Sequence, residues 1–142
     1  KVLAVSISER KGIKKHPVEY IELIEDYGID GDAHAGKWHR QVSLLGVESM
    51  EAMKKKLPTL SAGDFAENIL TEGIVLYKLP IGTILKVGDC ILEVTQIGKE
   101  CHLGCEIRHI VGDCVMPREG IFTKVIKGGK IKADDKIEIV EK

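Results

Sequence analysis

Gly82-Thr83-Ile84-Leu85-Lys86-Val87-Gly88-Asp89-Cys90-Ile91-Leu92-Glu93-Val94 consists of two alternating apolar runs joined by Gly88-Asp89. Glycine readily takes the positive φ that a tight reversal needs, so the stretch predicts a β-hairpin with strands over Ile84–Val87 and Ile91–Ile97. The same texture extends in both directions. Short runs at Val2–Ser8, Val18–Ile24, Gln41–Leu45, Gly120–Ile126 and Lys136–Val140 read as further strands. In the last of them Ile137 and Ile139 alternate with Lys136 and Glu138, the period of a sheet with one wet face. Gly129–Ile139 loosely repeats the hairpin design and predicts a second strand reversal of the same kind. A single helix is expected where Val47, Met50, Met53 and Leu57 share one stripe, Glu51 and Lys55 support it four apart, and Pro58 ends it. Methionines at that spacing pack a core rather than bind a soft metal. The fold class is therefore mainly β, with enough strands for a barrel or a sandwich.

The chain has 142 residues and a mass of 15.6 kDa, which suits one domain spanning 1–142. A domain of this size buries about 68–70% of the surface its unfolded chain exposes, so no metal or disulfide is needed merely to fold. Hydrophobic residues at 44% and charged residues at 30% exclude intrinsic disorder. With 21 basic and 22 acidic residues the net charge is -1, so neither nucleic acid nor a membrane surface is expected as a partner. No apolar run approaches the roughly 18 residues of a membrane span, and Lys1-Val2-Leu3-Ala4-Val5 reads as a strand without a leader pattern. A cytoplasmic location is the expectation. Disulfides are then disfavoured, and the cluster Cys101, Cys105 and Cys114 becomes a candidate reactive or ligand site, whereas Cys90 belongs to a buried strand face.

Four segments carry residues that folding alone does not demand. Gly28-Ile29-Asp30-Gly31-Asp32-Ala33-His34-Ala35-Gly36-Lys37-Trp38-His39-Arg40 combines glycines, aspartates, two histidines and the sole tryptophan in one stretch. Glycines let a backbone approach a ligand closely, and histidines such as His34 add nothing to a turn. In Gly63-Asp64-Phe65-Ala66-Glu67-Asn68-Ile69 the amide of Asn68 either pins a loop or meets a ligand ring. In Ile97-Gly98-Lys99-Glu100-Cys101-His102-Leu103-Gly104-Cys105 a thiol just past a strand stands next to an imidazole, a setting for a lowered pKa at Cys101. Arg118, in Gly112–Gly120, has the fork that clamps a phosphate or carboxylate, and Arg40 and Lys124 are further phosphate candidates. Against each stands an ordinary role in turns, burial or surface pairing.

Zinc is disfavoured: Cys101, His102, Cys105, His109 and Cys114 offer one short pair where structural sites use two. No GxSxG, GxxxxGK[ST] or GxGxxG occurs, which excludes serine-hydrolase, P-loop and Rossmann readings.

Taken in order, Gly28–Gly36, Arg40-Gln41-Val42-Ser43-Leu44-Leu45, Gly63–Ile69, Leu79-Pro80-Ile81-Gly82 and the Cys101 segment resemble the MOSC domain family, named for the C-terminal part of molybdenum-cofactor sulfurases. The resemblance runs from Val2 to Val140. It implies a single closed or partly open β-barrel with a few short helices and a role around the molybdenum cofactor. It further implies that Cys101 matches the family cysteine that carries a persulfide or ligates molybdenum, with His102 or His34 lowering its pKa. Molybdopterin offers a phosphate, a flat polar ring and a soft metal on a dithiolene; Lys37, Arg40, Asn68, Arg118 and Cys101 supply matching groups. The expected partners are a cysteine desulfurase or a molybdoenzyme. The alternatives are a non-catalytic cofactor-delivery module, and part of a molybdenum-dependent reductase of N-oxygenated compounds. The resemblance does not extend to the extra N-terminal region of those reductases or to the pyridoxal-phosphate domain of the sulfurases, so neither a self-made persulfide nor a complete reductase site is expected.

Overall fold

The computed structural model describes residues 1–8, 15–33, 35–38, 40–53, 67–97 and 120–141. Within them the strands are β1 (Val2–Ile7), β2 (His16–Val18), β3 (Tyr20–Ile24), β4 (Gly28–Ile29), β5 (Val42–Gly46), β6 (Ile69–Thr71), β7 (Ile84–Val87), β8 (Cys90–Ile97), β9 (Ile121–Lys127), β10 (Gly129–Lys132) and β11 (Ile137–Glu141). Helix α1 covers Val47–Met53, and Leu76–Lys78 forms one 3-10 turn.

The hairpin read from the sequence is present. Val87 faces Cys90 across the β7–β8 turn, and Gly88 takes a φ of 57° there. A Cβ at Gly88 would lie 2.8 Å from Asp135 Oδ2, so both its conformation and its space call for glycine. Strands β8 and β9 form the spine, antiparallel from Ile91↔Lys127 to Ile97↔Ile121. Around them an eight-stranded sheet runs in the order β11-β7-β8-β9-β5-β6-β1-β2, and a second sheet runs β10-β3-β4. Among the described residues only the β5–β6 pairing in the large sheet is parallel.

The molecule is mainly β with very few helices, as expected, but among the described residues no ladder closes the large sheet into a barrel. A backbone clip ties the turn before the edge strand β11 to β1, the neighbour of the other edge strand β2: Val2 N–H donates to Asp135 O at 2.8 Å, and Asp134 N–H donates to Val2 O at 2.7 Å. These bonds bring the turn before β11 against the start of β1 without extending into a strand pair.

Two further expectations change. Val18–Ile24 is not one strand: β2 pairs with β1 in the large sheet, and after Glu19 the chain enters β3 in the small one. In β3 Ile21 and Leu23 are buried while Tyr20, Glu22 and Ile24 face outward. Alternation reports a wet and a dry face but not which sheet a strand joins. Likewise Gly129–Ile139 is not a second hairpin. β10 pairs with β3 and β11 with β7, and the turn at Asp134, whose φ is 76°, hands the chain from one sheet to the other. The expected helix begins at Val47 and is described to Met53; Leu57 and Pro58 lie outside the described residues.

One apolar cluster underlies both sheets. It takes Leu85, Leu92, Val94, Ile121 and Val125 from the large sheet and Ile21, Leu23, Ile29 and Ile131 from the small one. Cys90 is part of it, fully buried as its strand pattern implied.

Candidate functional site

The glycine-rich segment after β4 is anchored by a buried ion pair. Lys15 Nζ donates to Asp32 Oδ1 at 2.8 Å and to Ser8 Oγ at 3.2 Å, and the backbone N–H of Ser8 donates to the same carboxylate oxygen at 3.1 Å. Both charged side chains are wholly buried. Burying two charges is costly, so such a pair persists where each member satisfies the other and further hydrogen bonds complete the set. It locks the segment containing Gly31 and Asp32 to the end of β1, and from there the chain runs to Arg40.

Arg40 reaches the far end of β8. Its Nε donates to Gln96 Oε1 at 2.9 Å, and its guanidinium carbon lies 5.4 Å from the Phe122 ring centroid and 5.8 Å from that of Trp38. Contact with two aromatic faces adds cation–π attraction and fixes the plane of the fork. Its two terminal nitrogens have no hydrogen-bond partner among the described residues. An oriented guanidinium with free N–H groups is an anion receptor.

Beside it lies a cleft of about 360 Å³ lined by Asp26, Lys37, Trp38, Glu93, Thr95 and Lys124. Glu93 and Lys124 face each other across β8 and β9. No ion pair joins Lys37 or Lys124 to Asp26 or Glu93 among the described residues. Asp26 is held from behind. Its N–H donates to Val125 O at 2.9 Å, and its Oδ1 accepts from Gln41 Nε2 at 3.2 Å, while the fully buried Gln41 accepts at Oε1 from Val125 N–H at 2.9 Å. Asp26 has a φ of 50°, a left-handed conformation that aspartate tolerates better than most residues.

The fold thus brings Lys37, Arg40 and Lys124 together with Trp38. Asn68 sits apart from them in a network of its own. Its Oδ1 accepts from Ser43 N–H at 3.0 Å and from Ser43 Oγ at 3.1 Å, and its Nδ2 donates to Ser6 O at 3.1 Å, with 1% of the residue exposed. Of the two uses open to Asn68, pinning the chain is the one these bonds carry out: it ties β5 to β1 at the head of β6. Cys101, His102, His34 and Arg118 lie outside the described residues, as do Cys105, His109 and Cys114. Among the described residues no group of three or more His, Cys, Asp or Glu is placed to hold a metal. Cys90 is not itself a reactive thiol, because burial first, then the charges of Asp89 and Asp135, pushes its pKa up to about 11.

Sequence reasoning missed Asp26, Gln41, Glu93 and Gln96. Each reads as ordinary turn or strand surface, and only the folding of β3, β5, β8 and β9 against one another gathers them. The one available signal was position: Thr95 and Gln96 end the strand that leads into the Cys101 segment.

Residues 31–138 match the family model described as MOSC domain. The chain belongs to the MOSC domain family. The family is associated with proteins like the molybdenum-cofactor sulfurases. Among solved structures this MOSC domain is similar to the YuaD protein of Bacillus subtilis, with a TM-score of 0.79 and 19% identity over 96% of this chain and 93% of that one. It is also similar to YiiM of Escherichia coli, with a TM-score of 0.69 and 20% identity over 100% of this chain and 71% of that one. For YiiM of Geobacillus stearothermophilus the TM-score is 0.76 and the identity 18%, over 99% and 75% of the two chains. These likenesses establish a shared fold. No curated protein matches the sequence.

Proposed function

We propose that this MOSC protein binds the molybdenum cofactor or a precursor and carries or presents sulfur on Cys101. The observation that supports the reading most is the set of cations, none in an ion pair among the described residues, gathered beside Trp38 near the end of β8. Arg40, Lys37 and Lys124 suit a phosphate, and Trp38 suits a flat ring. Cys101 follows Ile97, the last residue of β8, by four positions, and four residues of extended chain span at most about 14 Å. In this reading the short tether delivers the thiol to the cleft. Bound, the cofactor supplies molybdenum on a dithiolene and an anionic pterin; the chain supplies the cations and the thiol.

In the carrier step the Cys101 thiolate attacks the terminal sulfur of a donor persulfide, such as that of a cysteine desulfurase. A sulfur–sulfur bond forms at Cys101, the donor's own sulfur–sulfur bond breaks, and the donor leaves as a thiolate, with no net oxidation. His102, adjacent in sequence, or His34 takes up the thiol proton and stabilises the thiolate. Arg118 adds a further cation for the cofactor's phosphate.

Mass spectrometry after incubation with a cysteine desulfurase and cysteine tests this. The wild-type protein gains the mass of one sulfur, and Cys101→Ser does not while keeping the same unfolding midpoint. Equal loading of the two would overturn the role of Cys101. Because the cleft's ligand groups work without any thiol, the second reading is a delivery module that binds cofactor and performs no chemistry. In that case Cys101→Ser retains cofactor affinity, and persulfide is absent from both proteins.

A further inference from the structure

The cleft contains more than a phosphate receptor requires. Cations alone would suit an anion, yet the same ring of residues presents two carboxylates, and one of them is a built feature. Asp26 Oδ1 is engaged by the wholly buried Gln41, whose own Oε1 is fixed by Val125 N–H. The second oxygen of Asp26 has no partner among the described residues. Glu93 stands on the same wall, opposite Lys124 in the ladder and without an ion pair among the described residues. Carboxylates only accept hydrogen bonds, so a ligand that meets them must bring N–H or O–H donors. A ligand that also meets Trp38 must be flat, and one that satisfies Lys37 and Lys124 must carry an anionic group.

From this we infer that Asp26, held by Gln41 and assisted by Glu93, is the acceptor subsite of the cleft. It reads the N–H edge of a planar heterocycle of the 2-aminopyrimidinone type, whose exocyclic amine and neighbouring ring N–H present two donors side by side. Asp26 is thereby a specificity residue, and the cations take the anionic substituent of the same ligand. The inference deepens the cofactor reading and rests on it for the choice of a pterin, although guanine nucleotides share the same edge.

Trp38 is the only tryptophan in the chain and lines the cleft, so its fluorescence reports occupancy directly. Four probes divide the chemistry. Pterin-6-carboxylate and guanosine monophosphate carry the amino group; lumazine-6-carboxylate and inosine monophosphate are their counterparts without it. Titration of the protein is expected to show the aminated member of a pair binding about tenfold tighter or more, because its loss leaves a charged acceptor unmatched. Asp26→Asn keeps the bond from Gln41 and tolerates the left-handed backbone; it is expected to bring that ratio close to one. Glu93→Gln is expected to reduce the ratio by a smaller factor. Discrimination within the pterin pair supports both the acceptor subsite and the cofactor reading. Discrimination within the guanine pair alone supports the subsite and overturns the cofactor as its occupant. Equal binding within both pairs, no binding of any aminated probe, or a ratio unmoved by Asp26→Asn overturns the inference, whatever becomes of persulfide loading on Cys101.

Discussion

Cys90 and the Lys15–Asp32 pair show how much the surroundings of a side chain decide what it does. Of the four cysteines, Cys90 is the one among the described residues, and it is fully buried beside Gly129, where an added Cβ would come within 3.2 Å of its sulfur. Burial, followed by the charges of Asp89 and Asp135, raises its pKa from the ordinary 9.0 to about 11, with Lys127 opposing. The raised value stabilises the folded state only while the thiol holds its proton. As pH rises past about 9 the unfolded chain ionises first, so this contribution is full below that pH and lost as pH climbs through about 11. Urea unfolding at pH 8.5, 9.5 and 10.5 is therefore expected to give a steeper fall in stability for the wild type than for Cys90→Ala, with a difference in slope of about 1 kcal/mol per pH unit. Parallel slopes would mean that the sulfur is solvated. The buried role of Cys90 was legible in the sequence from its place in an alternating strand. The Lys15–Asp32 pair was not, because a lysine in a basic run and an aspartate in a glycine-rich turn each look solvated until the fold presses them together.

At the scale of elements, short-range pattern was a good guide to strands and a poor guide to partners. The β7–β8 hairpin was readable because one glycine in a tight turn specifies both the reversal and the neighbour. The Gly129–Ile139 segment has similar chemistry, yet its two strands join different sheets. The reason lies one turn earlier, at Gly128. A Cβ on that residue would overlap the Leu23 carbonyl, so β9 gives way to β10 only where β3 can pass directly over bare backbone. Gly128→Ala is expected to destabilise the protein by about 1–3 kcal/mol, the range of an overpacked site. In hydrogen exchange the loss is expected first at the β3–β10 amides. An unchanged unfolding midpoint would show that β3 can shift without cost. Similarly, the segment around Asn68 was recognisable as unusual, but whether its amide faced a ligand or the chain depended on Ser6 and Ser43, which lie 62 and 25 positions away in sequence.

For the whole molecule, the decisive fact is that the two sheets share apolar contacts. Ile131 of β10, fully buried, belongs to the same cluster as Leu92 of β8. Packing of that kind couples distant strands, since a void opened under one sheet removes contacts from the other. Ile131→Ala is expected to cost about 2–5 kcal/mol. The loss should appear equally in the most protected amides of β8 and of β3, with one unfolding transition by every probe. Two separate transitions, with β8 protection untouched, would show that the small sheet folds as its own unit.

From its sequence alone the protein was determined to be mainly β, to contain the β7–β8 hairpin, to bury Cys90 and to carry the ordered motifs of the MOSC family. All of these rest on residues close together in the chain, where backbone preference and alternation act directly. Only the tertiary structure decided that, among the described residues, the large sheet is clipped at Val2 with no closing ladder, and that Asp26 is braced by Gln41. It alone brought Lys37, Trp38, Glu93 and Lys124 to one cleft. Those outcomes depend on contacts between residues from 15 to more than 100 positions apart, and no local pattern encodes which of many chemically similar side chains will meet once the core has closed.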